Sequence, residues 1–123
     1  MTMPTVGDLM TADICTVGPN DEVAVARELL RDRGIHAIPV VDDETNQKPV
    51  GIVTSTDLMS DVDGDVPVSA IMSSTIWAVP RDASVGEAAA LMRNERVHHL
   101  IVSDPTEGVG IVSSYDLLAA IAE

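Results

Sequence analysis

Two short stretches carry residue types that can do chemistry, Thr54-Ser-Thr-Asp57 and Ser113-Ser-Tyr-Asp116. Each sets a hydroxyl three residues ahead of a carboxylate, just after an apolar run opened by Gly51 or Gly110. If a helix starts at the hydroxyl, its unpaired N–H groups and partial positive charge form a seat for phosphate. Asp57 or Asp116 would repel that phosphate, yet a carboxylate accepts two hydrogen bonds and so suits a ribose diol. A plainer reading needs no ligand: Thr54, Ser55, Ser113 or Ser114 caps a helix, and the Asp in its first turn complements the dipole. A second group is His36, His98 and His99, all at the start of apolar, strand-like runs. No Cys or carboxylate stands at ligand spacing from them, so no metal site is expected. Neither a nucleophile elbow nor a Gly-rich phosphate loop is present, so no catalysis and no cofactor are expected. Cys15 has no adjacent cation to activate it and reads as a small apolar residue.

The elements that must position these residues occur twice. Val6–Val17 lies over Val68–Val79 at an offset of 62, and the register holds to Asp42 over Asp104 with 11 identities in 37 pairs. By Gly51 over Gly110 the offset is 59, and the three-residue difference falls in a polar loop, Asp43–Pro49. Each copy opens on a short apolar turn (DLM, AIM) and an extended piece (ICTV, IWAV). A helix follows, with Val23, Ala26, Leu29 and Leu30, or Val85, Ala88, Leu91 and Met92, on one face. Asn20 or Asp21 is placed to cap the first helix and Gly34 to end it; Ser84 and Glu87 have capping-box spacing in the second. Two near-continuous apolar strands come next, a pattern of burial on both faces, and then the helix that starts at the hydroxyl. The order is β-α-β-β-α, twice, with repeats at 1–62 and 63–123. One such α/β unit is too small to bury its sheet alone, so the repeats are expected to pack through their sheets about a pseudo-twofold axis.

Composition bounds the function. Apolar residues make up 46% but aromatics only 2%, so the core must come from Val, Ile, Leu, Ala and Met. Met10, Met59, Met72 and Met92 read as core or subunit contacts. Twenty acidic residues against seven basic ones give −13, which repels nucleic-acid phosphates and excludes a general nucleic-acid role. Lys48 is the only lysine. An acidic, lysine-poor surface fits a salt-rich cytoplasm; an ordinary acidic protein is the other reading. With no apolar run of membrane length and no signal segment, a soluble cytoplasmic protein is expected, with no membrane partner.

The stretches HAIPVVD and GIVTSTDL, echoed by HHLIVSD and GIVSSYDL, make nearly the whole chain, Pro4 to Ile121, resemble a tandem pair of cystathionine beta-synthase (CBS) domains, a Bateman module. The resemblance implies a regulatory protein that binds an adenosine-containing ligand and signals to an effector in trans. The ligand is expected to be AMP, ADP or ATP, with S-adenosylmethionine as the alternative and an empty structural or dimerisation module as the other. It further implies a disc-like homodimer and two clefts, each with its ribose Asp from one repeat and its adenine wall from the other. Carried over, the first cleft has Ser113, Ser114 and Asp116 facing Ile14, Cys15, Thr16, His36 and Ala37. The second has Thr54, Ser55 and Asp57 facing Ile76, Trp77, Ala78, His98 and His99. The first is favoured: Cys15 leaves space for a ring, whereas Trp77 either stacks on the base or fills the pocket. The family often has a basic residue after the strand-start His; here Ala37 and His99 stand there.

Overall fold

The computed structural model describes residues 4–11, 15–42, 48–104 and 108–121. Along the chain the elements are α1 (Val6–Leu9), α2 (Val23–Arg33), β1 (Ala37–Asp42), β2 (Lys48–Thr54) and α3 (Ser55–Leu58). After a 3-10 turn at Val68–Ala70 come β3 (Ala78–Pro80), α4 (Val85–Glu95), β4 (His99–Asp104), β5 (Gly108–Ser113) and α5 (Ser114–Ile121). They form two units: a continuous one, Cys15–Ile76, and a split one, Met1–Ile14 with Trp77–Glu123.

In the continuous unit β1 and β2 form an antiparallel hairpin with Ala37 opposite Thr54. Ala37 to Val40 are all buried, as expected of a strand covered on both faces. Val17 bridges in parallel to Val40 on one edge, and Ser73 bridges to Ile52 on the other. Of the extended piece ICTV, the described residues Cys15–Val17 hold a single bridge, at Val17. Lys48 and Pro49, expected in a loop, begin β2 opposite Asp42 and Val41; residues 43–47 lie outside those described.

Helix α2 turns Val23 and Ala26 into the core, with Leu29 and Leu30 packed against it. Its start corrects the capping expectation. The N-cap is Glu22, with no side-chain cap. Instead the carbonyls of Val66 and Gly64 accept from the N–H groups of Val23 and Ala24, at 2.8 and 2.9 Å. Tertiary carbonyls satisfy the orphan donors, and the Asp21 carboxylate takes the N–H of Gly18 at 2.7 Å. Gly34 ends the helix as expected, left-handed at φ 63°.

In the split unit β3 runs parallel to β4, and β4 antiparallel to β5. Thr11 bridges to Ile111, covering the edge of β5. Helix α4 is capped by Ser84, whose Oγ accepts from the Glu87 N–H at 3.0 Å. It buries Ala88 and Met92, with Val85 and Leu91 alongside. The helix ends left-handed at Arg96, φ 59°, where the other repeat has Gly34.

Both units are completed by the leading segment of the opposite repeat. The N–H groups of Val6 and Gly7 donate to Ala83 and Arg81, and those of Val68 and Ser69 donate to Asp21 and Pro19. Val6 and Val68 are fully buried. The repeats at 1–62 and 63–123 are therefore units of sequence; packing divides the chain after Ile14 and Ile76 instead. The exchanged segments also explain the glycine that opens each repeated motif. A Cβ on Gly51 would lie 2.5 Å from Met72 Sδ and 2.8 Å from the Ser73 carbonyl oxygen. On Gly110 it would lie 2.7 Å from Met10 Sδ and 3.0 Å from the Thr11 carbonyl oxygen. Close approach, rather than a turn, demands these glycines.

The largest fully buried side chains are Ile38, Leu100 and Ile101, followed by a series of valines. Each contributes about 1.5–3 kcal/mol by leaving water, so many medium contacts replace an aromatic centre. Of the four methionines singled out, Met92 is in the core of the split unit with Met10 packed against it, Met72 packs against the core of the continuous unit, and Met59 is 84% exposed.

Candidate functional site

The hydroxyl–carboxylate pairs sit where a strand becomes a helix. Thr54 keeps extended backbone at φ −111° and ends β2; Ser55 then begins α3. The Asp57 carboxylate turns back, and its Oδ2 accepts from the Thr54 N–H at 2.9 Å and from Thr54 Oγ1 at 3.0 Å. In return the Asp57 N–H donates to Thr54 Oγ1 at 3.4 Å. The split unit repeats this at β5 and α5. Asp116 Oδ2 accepts from the Ser113 N–H at 2.8 Å, and the Asp116 N–H donates to Ser113 Oγ at 3.1 Å. These are reciprocal capping boxes with Asp in the usual place of Glu.

The same hydroxyl-to-Asp spacing occurs twice more, at Ser60-Asp-Val-Asp63 and at Thr5-Val-Gly-Asp8, where Asp8 Oδ2 accepts from the Thr5 N–H at 3.0 Å. The Thr5–Asp8 copy, visible in the sequence, shows that capping alone accounts for the pattern. It leaves the second oxygen unused. Among the described residues, Oδ1 of Asp57 and of Asp116 takes no hydrogen bond, and both side chains remain half-buried rather than enclosed.

Phosphate at the helix start fares less well. The Ser55 N–H donates to the His36 carbonyl and the Ser114 N–H to the His98 carbonyl, each at 2.8 Å. With the third amide of each helix in its capping box, two of the first three donors are already spent.

The structure sets His36 and Ala37 beside Thr54, Ser55 and Asp57 in the continuous unit, with the His36 ring exposed and Ala37 buried. In the split unit His99 lies opposite Ser113, and His98 is exposed with Nδ1 3.5 Å from Ser114 Oγ. The residues of each expected cleft divide between the units. Cys15, Thr16, His36 and Ala37 belong to one, and Ser113, Ser114 and Asp116 to the other. Likewise Thr54, Ser55, Asp57 and Ile76 belong to the continuous unit, and Trp77, Ala78, His98 and His99 to the split one. Ile14 lies outside the described residues. Cys15 is half-buried. Trp77 is also half-buried and packs on the core of its own unit, its carbonyl accepting from the Ile101 N–H at 2.9 Å.

One residue near the site was missed in the sequence. Arg27 of α2 donates to three carbonyls beyond Asp57: Nε to Leu58 at 2.9 Å, and Nη2 to Ser60 at 3.2 Å and Val62 at 3.0 Å. Its repeat counterpart is Ala89, and that lost identity was the available signal.

Comparison with known proteins adds the family. The CBS domain model matches residues 6–64 and again 68–123. This chain is a tandem pair of CBS domains. The CBS domain-containing protein YhcV of Bacillus subtilis is 32% identical to the pair over 120 residues, covering 94% of this chain and 84% of its own. The inosine-5'-monophosphate dehydrogenase of Korarchaeum cryptofilum is 34% identical over 106 residues; these cover 85% of this chain but 22% of the dehydrogenase. The pair likewise spans 31% of the uncharacterized protein MJ1404 of Methanocaldococcus jannaschii, at 32% identity over 94% of this chain. Among solved structures, the CBS domain pair of protein MJ0100, in complex with 5'-methylthioadenosine and S-adenosyl-L-methionine, superposes with a TM-score of 0.86 at 25% identity, covering 98% of both chains. CBSX2 in complex with AMP gives 0.80 at 28% identity, covering 97% of this chain and 96% of its own. No helix among the described residues is long and apolar enough to cross a membrane.

Proposed function

We propose that this CBS pair is a regulatory module that binds an adenosine-containing ligand and passes its occupancy to a partner protein in trans. The observation that carries the reading is Oδ1 of Asp57 and of Asp116, which takes no hydrogen bond from the described residues. Each is held at the mouth of a helix by a box that engages only Oδ2, so each carboxylate can accept from a ribose diol without breaking its cap. Structural relatives support the ligand class, since CBSX2 was solved with AMP and the MJ0100 pair with 5'-methylthioadenosine and S-adenosyl-L-methionine. AMP is the ligand of the first reading, ahead of ADP and ATP, because each added phosphate meets a chain of net charge −13.

A second reading, S-adenosylmethionine, is favoured by two observations. Two of the first three helix amides are spent at each site, and Ala37 and His99 stand where a cation would follow the strand-start histidine. The proposed signalling state is a homodimer in the cytoplasm, in which binding shifts the population of conformers shown to the partner.

Calorimetric titration with AMP, ATP and S-adenosylmethionine in high KCl tests the reading, with Asp116→Ala alongside. Saturable heat from one ligand, weakened markedly in the variant, is the expected result. No heat from any of the three, with the protein folded, replaces the sensor with a ligand-free dimerisation module.

A further inference from the structure

The repeat is least faithful just beyond its two carboxylates. After Asp116 the chain reads Leu-Leu-Ala-Ala-Ile, all good helix residues, and α5 runs eight residues to Ile121. After Asp57 it reads Leu-Met-Ser-Asp-Val-Asp-Gly, and Ser, Asp and Gly compete with or weaken a helix. Helix α3 accordingly stops after one turn, at Leu58. A single turn has little stability of its own, because nucleation fixes several residues for one hydrogen bond. Inside α5, the carbonyl of Leu117 is served by the helix's own amides. The equivalent carbonyl of Leu58 has no further turn to serve it, and the N–H of Met59 closes back on Ser55 and Asp57 instead.

Arg27 fills that gap. Its guanidinium, half-buried on α2, reaches across 31 to 35 residues of chain to Leu58, Ser60 and Val62. A planar cation with several donors suits the negative end of a helix and the irregular carbonyls after it. Lys has one compact head and cannot reproduce that spread. Ala89, at the same place on α4, offers nothing of the kind, and α5 needs nothing.

We propose that Arg27 is the positioning residue of Asp57: it replaces the missing helical turns, holds the one-turn helix in register, and ties the Thr54–Asp57 pair to α2. Among the described residues, the Ser113–Asp116 pair has no such tie. A change in α2 therefore reaches one carboxylate and not the other, giving the module two sites under separate control. The ligand consequence rests on the proposed adenosine binding; the positioning role does not.

The test compares Arg27→Met, Arg27→Lys and the control Ala89→Arg by hydrogen–deuterium exchange, first without ligand. In Arg27→Met, amides in Ser55–Val62 should exchange at least tenfold faster while those in Ser114–Ile121 keep their rate; Arg27→Lys should recover part of the protection, and Ala89→Arg should change neither segment. Calorimetry with AMP should then show Arg27→Met weakening one class of site about tenfold and sparing the other. Equal acceleration in both segments, or none in Ser55–Val62, overturns the positioning role. If wild-type protein gives no heat with AMP while the exchange result holds, the adenosine reading fails and the clamp stands. If AMP binds and Arg27→Met leaves every site unchanged, the separate control is overturned.

Discussion

The Thr54–Asp57 and Ser113–Asp116 turns are near-copies in sequence and in hydrogen bonding, yet they are supported in different ways. One caps a helix of eight residues, Ser114–Ile121; the other caps a single turn held from outside by Arg27. The lesson is that a capping box fixes the start of a helix and says nothing of what keeps the rest in place. Duplication preserved the part that is local and let the support diverge. The same holds at the helix exits, where Gly34 takes a left-handed conformation freely and Arg96 takes it with strain.

The largest effect that can break this comparison lies at the two glycines. Gly51→Ala should cost about 2–3 kcal/mol, because its Cβ would meet both a sulfur and a backbone oxygen below 3.0 Å. Gly110→Ala should cost less, about 1–2 kcal/mol, since its backbone neighbour sits at 3.0 Å. Urea unfolding of both variants checks the order, and equal costs would show that the flexible methionines yield and the backbone oxygens do not matter.

Arg27→Met should cost about 2 kcal/mol, the scale of charge-assisted hydrogen bonds lost from partly buried carbonyls. Ala89→Arg, its mirror, should leave the urea midpoint unchanged. A stabilising Ala89→Arg would mean that α5 also lacks support, removing the contrast.

Asp57→Ala and Asp116→Ala each remove half of a capping box, at about 1 kcal/mol. Asp57→Ala should cost somewhat more, because its Oδ2 takes two hydrogen bonds where that of Asp116 takes one. Thermal unfolding ranks them, and the reverse order would show that the Thr54 hydroxyl contributes nothing.

The smallest effect sharpens the contrast at the helix exits. Arg96→Gly should stabilise by about 0.5 kcal/mol, relief of left-handed strain exceeding the added freedom of the unfolded chain. Gly34→Arg should destabilise by about 1 kcal/mol, and with nothing within 4 Å of its Cβ the cost is conformational alone. Circular dichroism melts of the two variants should move in opposite directions.

Much of the fold was legible because it is periodic or local. The apolar faces of α2 and α4, the hairpins, Ser84 as a cap and Gly34 as a stop are all written within a few residues of where they act. The start of α2 was misread because Asn20 and Asp21 have the right chemistry nearby, while the groups that serve its amides, Val66 and Gly64, lie forty or more residues away. Lys48 and Pro49 looked like loop and became strand because pairing with β1 outweighs their weak propensity. At the candidate site, the hydroxyls and carboxylates were named from spacing, and the histidines from their place at the start of apolar runs and from the family resemblance. Arg27 was passed over, since a lone arginine on a helix has no pattern.

By itself, then, the sequence determined the duplication, the order of elements, the local caps and the candidate carboxylates, because each depends on neighbours along the chain. Tertiary structure alone decided three things. It completed each unit with the leading segment of the opposite repeat, it made Gly51 and Gly110 obligatory beside Met72 and Met10, and it assigned Arg27 to the carbonyls after α3. All three join groups distant in sequence, where the decisive quantity is which backbone comes within 3 Å of which, and no local pattern records that distance.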